Sequence, residues 1–287
     1  MSSPAVSVPR SSIVASVLTL GLAVVATVVG LFVSDFYRDA PELVAQLYGQ
    51  DALTLVVALP ALAGSLYVAA RGSLRGYVVW LGVTGYLLYT YASYAFMTAF
   101  NELYLVYVAL FGLTLFTLVG GILRLDATTL RETMGDHPVR SYVAFQVAVA
   151  VVVAGLWLSE IIPATLAETI PSSIREMGVP VNVIHSLDLA VFLPALAVTA
   201  YWLWRGETRG YALTGILLVK ATTLGLAVLS MVVFMALDGQ TVVVPQVVTF
   251  GAFSLVGIVL VWRFVSAIGA NSVTTSTRTP ASSGEIR

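Results

Sequence analysis

Long apolar runs alternate along the chain with short clusters of charged and turn-forming residues. Their length is what a helix needs to cross a hydrocarbon core of about 30 Å, for which about 20 residues suffice. Eight runs are delimited, at 12–33, 52–70, 76–99, 103–124, 141–161, 184–204, 210–237 and 244–266, and they predict eight transmembrane helices. The first, from Ile13 to Val33, is longer than the roughly 7 to 15 apolar residues of a secretory signal and is followed by no small-x-small cleavage site, so it is read as a retained helix. Residues 1–11 and 268–287 are rich in Ser, Thr and Pro and are expected to be disordered tails.

The pattern also repeats. Residues 55–77 align with 189–211 at a constant offset of 134, with identity at 13 of 23 positions, including Leu59-Pro60-Ala61-Leu62-Ala63 with Leu193-Pro194-Ala195-Leu196-Ala197, and Arg71-Gly72 with Arg205-Gly206. The end of the first run, Gly30 to Asp35, matches Gly155 to Glu160 in the same way, whereas the fourth and eighth runs correspond weakly. The expected architecture is an all-α integral membrane protein made of two four-helix repeats, 12–124 and 141–267, joined by a cytoplasmic linker, 125–140. Each unit crosses an even number of times, so the repeats should be parallel and related by a pseudo-twofold axis along the membrane normal. Pro60 and Pro194 lie inside their spans, each removes a backbone donor, and matching kinks are expected.

Composition and charge sharpen this reading. Hydrophobic residues make up 59% of the 287 and charged residues only 10%, against roughly 25% in soluble domains, which excludes a water-soluble globule. An amino terminus in the cytoplasm places eleven of the thirteen arginines inside, leaving Arg38 and Arg175 outside, and so predicts both termini cytoplasmic in the cell membrane. Ten of the fifteen acids, Asp51 among them, then lie toward the outside, where the plain reading is solvated or capping carboxylates. Asp39, Pro41, Glu42 and Gly49 read as the N-cap, first turn and end of a short interfacial helix, and Ser172 or Ser173 with Gly178 could frame another. The absence of cysteine excludes disulfides and thiolate chemistry, no spacing resembles a closed metal site, and no cofactor is implied. A net charge of −1 gives no general pull on nucleic acid.

The candidate chemistry lies where the repeats differ. Lys220, the only lysine, is eleven residues beyond Arg209, about 16 Å along a helix and so close to the bilayer midplane. A lysine at that depth costs about 2.5 to 3.5 kcal/mol on insertion scales and faces protein or water, normally with a partner. Asp188 is the expected partner. The counterparts of Lys220 and Asp188 in the first repeat are Tyr86 and Thr54. Two readings of the pair stay open: a binding or proton-relay site, and an ion pair that fixes helix packing. His185 lies three residues before Asp188 and could share the site. Tyr86 and Tyr89 are deep enough to need partners inside the bundle and could line the same cavity, whereas Tyr94 and Tyr104 read as an interfacial aromatic belt. Asn101 and Glu102 stand at the outer hairpin, from which Glu102 either reaches the cavity or caps the turn.

A lysine on a seventh helix invites comparison with retinal proteins, but those have no duplicated half, and Ile216 stands one turn before Lys220 where the microbial ones carry an acid. The segments Tyr89-Thr90-Tyr91-Ala92-Ser93-Tyr94, Asn101, Tyr107-Val108-Ala109-Leu110-Phe111 and Leu218-Val219-Lys220 resemble a group of multi-pass membrane proteins of bacteria and archaea that has no established activity. The resemblance implies eight helices and no catalytic residues. Three functions follow as expectations. One is a transporter or ligand-binding protein for a small polar or anionic solute, with an outward-facing polar pocket at the repeat interface. The others are a lipid-modifying enzyme using Lys220 or His185 as acid or base, and a scaffold with a structural Asp188–Lys220 pair.

Overall fold

A computed structural model describes residues 7–269; most of the two terminal segments expected to be disordered lies outside the described residues. Every regular element among the described residues is helical. The order is α1 (Arg10–Phe32), α2 (Pro41–Leu53), α3 (Leu59–Ala70), α4 (Leu74–Met97), α5 (Tyr104–Arg124), α6 (Ala127–Met134), α7 (Arg140–Leu166), α8 (Ser172–Glu176), α9 (Val183–Leu187), α10 (Leu193–Trp204), α11 (Thr208–Leu237) and α12 (Val244–Ala267). Among the described residues, seven helical stretches are long and apolar enough to cross a membrane: α1, the continuous helix Pro41–Ala70, α5, α7, Val183–Trp204, α11 and α12.

α4 falls outside those seven because it carries five tyrosines along with Ser and Thr, yet it is 24 residues long and 18 of them are buried. It is the packed centre of the bundle, and α11 lies against it. Around this pair, α1, α5, α7 and α12 turn large apolar side chains outward, among them Leu18, Phe116, Val151 and Trp262. Only 5 of the 27 residues of α7 are buried, so it is a peripheral helix. An apolar exterior around a core containing hydroxyls, carboxylates and an amine is the arrangement a bilayer demands.

α2 and α3 join through a π-helical stretch, Thr54–Ala58, and α9 and α10 join through another, Asp188–Phe192. The proline that follows each, Pro60 or Pro194, has no N–H to give to the ladder. The residue just before it, Leu59 or Leu193, bonds instead to the carbonyl five residues back, that of Thr54 or Asp188. The expected kinks are thus taken up as widened turns within continuous helices. The hairpins that follow are also built alike. Gly72 and Gly206 take positive φ, the amides of Ser73 and Glu207 reach back to the carbonyls of Val68 and Trp202, and α3 and α10 close there. Gly76 and Gly210 then pass so close to the backbone at Ala69 and Leu203 that a Cβ would come within 2.7 and 2.3 Å of it.

Two local expectations fail. Gly49 does not end a short helix: α2 continues, and the glycine lets the backbone of α11 approach, since a Cβ there would be 2.4 Å from Met231 Cα. Ala40, not Asp39, is the N-cap residue, with Pro41 opening the helix. The Asp39 carboxylate accepts the Ala99 amide at 2.7 Å, tying the α1–α2 turn to the end of α4, and its burial there pushes the carboxyl pKa up.

Candidate functional site

A cavity of about 810 Å³ opens between α2, α4, α7, α8, α9, α11 and α12. Its inner wall carries Gln50, Tyr89, Tyr94, Trp157, His185 and Asp188, and its rim includes α8 and the turn from Gly239 to Val243. Gln240 donates to the Pro41 carbonyl at 3.0 Å, so that turn is tied to the start of α2 across the mouth. Residues from both halves of the chain, before and after the 125–140 segment, line the space.

Asp188, buried to 4% exposure, accepts two hydrogen bonds: Tyr89 donates to Oδ1 from α4 and Trp157 donates to Oδ2 from α7, each at 2.9 Å. Each carboxylate oxygen is thus met by a donor from a different helix. Lys220 does not complete this set. No Lys220–Asp188 approach falls within 4.0 Å, and the ion pair found among the described residues is the exposed Arg38–Glu102 contact. The carboxylate is near enough to act on the amine through space, but the Lys220 Nζ lies 3.1 Å from the Phe192 ring centroid and 4.0 Å from that of Tyr89. The amine is buried and has no hydrogen-bond partner. It is therefore held by aromatic faces, a contact worth about 2 kcal/mol or more when desolvated. Lys220 stands behind the Tyr89 ring and is not among the cavity's lining residues.

His185 does line the cavity. Its ring packs on Trp157 with centroids 4.6 Å apart, and its Nε2 faces the Asn182 amide at 3.3 Å. Because Asn182 Oδ1 accepts the Ile184 amide, the NH₂ group is turned toward the imidazole, which assigns the ring proton to Nδ1. That buried Nδ1 has no partner. Glu160 holds the α8 end of the wall by accepting from the Ser173 amide at 2.9 Å and its hydroxyl at 3.0 Å.

The other residues singled out from sequence are elsewhere. Tyr86 is fully buried among first-repeat groups, accepting from Gln50 at 2.8 Å and sharing a hydrogen bond with Thr54 at 2.9 Å. The counterparts of Tyr86 and Thr54 at the 134-residue offset, Lys220 and Asp188, are likewise neighbours, although not bonded to each other. Glu102 is exposed, pairs with Arg38 and does not reach the cavity. Asn101 is buried but serves the hairpin, its Oδ1 accepting the Leu103 amide at 3.0 Å.

Sequence reading overlooked Asp51. Rather than a solvated or capping acid it is 1% exposed, accepting from Tyr94 at 3.0 Å and from Tyr37. Tyr94 is correspondingly no belt residue, whereas Tyr104, 38% exposed, is in keeping with a belt position. Burial, and after it the Asp51 charge, hold the Tyr37 phenol far above its ordinary pKa, so it remains a donor. Gly30 makes room for this contact, since a Cβ would come 2.1 Å from the Asp51 carboxylate. Trp157 was overlooked too; its position opposite Phe32 in the alignment of the first and fifth runs was the available signal.

Comparison of the chain with family models, with curated proteins and with solved structures gives no match.

Proposed function

We propose that the chain is a multi-pass membrane protein that binds a small solute in a cavity at the junction of two parallel four-helix repeats, and that it carries that solute across the bilayer. The observation that bears most weight is the placing of Asp188: a buried carboxylate in the cavity wall, held by one donor from each repeat, Tyr89 and Trp157. Any solute that contacts Asp188 also acts on the contact between the halves, which is what coupling binding to movement requires.

The duplication is supported by the two π-helical stretches and the two glycine hairpins, which recur at the offset of 134 read from sequence. α4 is the eighth crossing in this reading. Four of its five tyrosine hydroxyls, those of Tyr77, Tyr86, Tyr89 and Tyr94, find partners in the bundle, so it needs no apolar surface of its own. The arginine distribution supports an outward-facing mouth, since α8 and the 239–243 turn then lie outside. Lys220, sealed behind Tyr89, is the reserve charge of the site: movement of that ring would bring it to Asp188.

The missing cysteine makes the test direct. Val228 lies on α11 in the cavity wall, and Val228→Cys is a conservative exchange. A membrane-impermeant thiol reagent applied to intact cells is expected to label it, with the native chain as blank. Labelling only after denaturation, in cells and in inverted vesicles alike, would mean a dry interface and defeat the proposal.

A further inference from the structure

The lining charges of the cavity are of one sign. Glu42, Glu160, Glu176 and Asp188 contribute carboxylates, no arginine or lysine contributes, and the assigned tautomer of His185 is neutral. Lys220, the residue that favours an anionic solute in the sequence reading, is screened from the space by the ring of Tyr89. Between the carboxylates the wall is aromatic and soft: Tyr89, Trp157 and Phe250 present π-faces or edges, and Met97, Met231 and Met235 present thioethers.

We infer that the cavity selects an organic cation, an ammonium group on an apolar body, with Asp188 as its counter-ion. This rests on the binding reading above and names the class of solute it takes. Three features carry it. Asp188 uses one donor on each oxygen, and a carboxylate has about four acceptor positions, so it can still receive an N–H or face an N-methyl group. Aromatic faces attract ammonium groups, and a low-dielectric wall strengthens both interactions. The volume, about 810 Å³, falls within the range of roughly 300–1,000 Å³ usual for small-molecule sites. Independently of the carboxylates, the His185 Nδ1–H is an unmet donor in a residue only 5% exposed that lines the cavity. It marks a place in the wall where a second group of the same occupant, a hydroxyl or carbonyl oxygen beside the ammonium, would be met.

The test uses the Val228→Cys chain in cells and in detergent. A cationic methanethiosulfonate is expected to react at least about tenfold faster than an anionic one, after normalising each to a free thiol in solution, because a focused negative field enriches cations by that order or more. Benzyltrimethylammonium should protect the cysteine, whereas benzoate should not. Asp188→Asn together with Glu160→Gln should bring the two reagent rates together; Asp188→Asn alone, in protein verified as folded by its melting profile, should abolish most of the protection. Equal rates, faster anionic labelling or protection by benzoate would overturn the cation assignment while leaving an open binding cavity. Rapid labelling without protection by benzyltrimethylammonium would also overturn it. Failure of both reagents to label the folded Val228→Cys chain, with labelling after denaturation, would instead defeat the cavity itself.

Discussion

The Nζ of Lys220 and the ring centre of Tyr89 are 4.0 Å apart, while the hydroxyl of that same tyrosine donates to Asp188 at 2.9 Å. One aromatic side chain therefore touches both the acid and the base of the bundle, which do not pair with each other. The acid faces the cavity and the base does not. The lysine and the aspartate that sequence joins as an ion pair are thus two charges stabilised by different means, the first by π-faces and the second by hydrogen bonds.

Because Lys220 is the chain's only lysine, its screening can be read chemically. In folded protein a water-soluble amine-acylating reagent is expected to leave Lys220 unmodified, as measured by mass of the peptide carrying it. Tyr89→Ala removes the ring and should open the amine to the cavity, giving rapid acylation in protein that remains folded. Tyr89→Phe keeps the ring and should keep the protection. Equal reactivity in all three chains would show that the tyrosine is no barrier.

Stability should respond asymmetrically to removal of the two charges. Lys220→Met keeps length and apolar bulk, gives up cation–π attraction of about 2 kcal/mol, and relieves a desolvation cost of several kcal/mol. Its melting temperature in detergent should equal or exceed that of the native chain. Asp188→Asn offers one acceptor where two donors wait and turns its own NH₂ toward the other, so a loss of about 1–3 kcal/mol is expected. If both substitutions destabilise strongly, a direct ion pair holds the helices after all.

How far these relationships are legible in the chain depends on the distance over which each is made. Span boundaries follow from local hydropathy and the observed helices start and stop within a few residues of them, except where α2 runs through Gly49. Lys220 is conspicuous because a charge in an apolar run has no local excuse. Its neighbours are not, since Tyr89 bonds to a residue 99 positions away and Trp157 to one 31 positions away. Asp51 is hidden for a different reason. An acid at the edge of an apolar run looks interfacial until the preceding helix is seen to be continuous with it, and Tyr37 and Tyr94 are then found converging on it. Gly49 misleads in the same way, as a helix end when read locally and as a point of helix approach when packed.

That difference among glycines is testable. Gly49→Ala would place a Cβ 2.4 Å from the Met231 backbone, which no rotamer change can relieve, and should separate α2 from α11 where Ser230 donates to the Gly49 carbonyl at 2.7 Å. A loss on the order of 1–3 kcal/mol is expected, as for overpacking generally. Gly64 is also helical but has nothing within 4 Å of its Cβ position. Gly64→Ala should therefore gain up to about 1 kcal/mol from helix propensity alone. Thermal unfolding of the two variants in one detergent decides the matter, and a similar loss in both would refute the close approach at Gly49.

A last prediction concerns the face opposite the cavity. His137, in the turn between α6 and α7, lies 2.8 Å through Nε2 from the hydroxyl of the buried Tyr142, and burial first, then Arg263, hold its pKa below the ordinary histidine value. The neutral ring is the form the fold favours, so the contribution is fully present above the unfolded pKa, about 6.5, and is lost as pH falls through the lower folded value. Acidification should loosen the start of α7, seen as faster amide exchange over residues 136–142. His137→Gln cannot titrate, can still accept from Tyr142, and should flatten that pH dependence. The cavity lies at the other end of the bundle, so the reactivity of Val228→Cys should be the same with and without His137→Gln. An unchanged acid response in the glutamine variant would place the titrating group elsewhere.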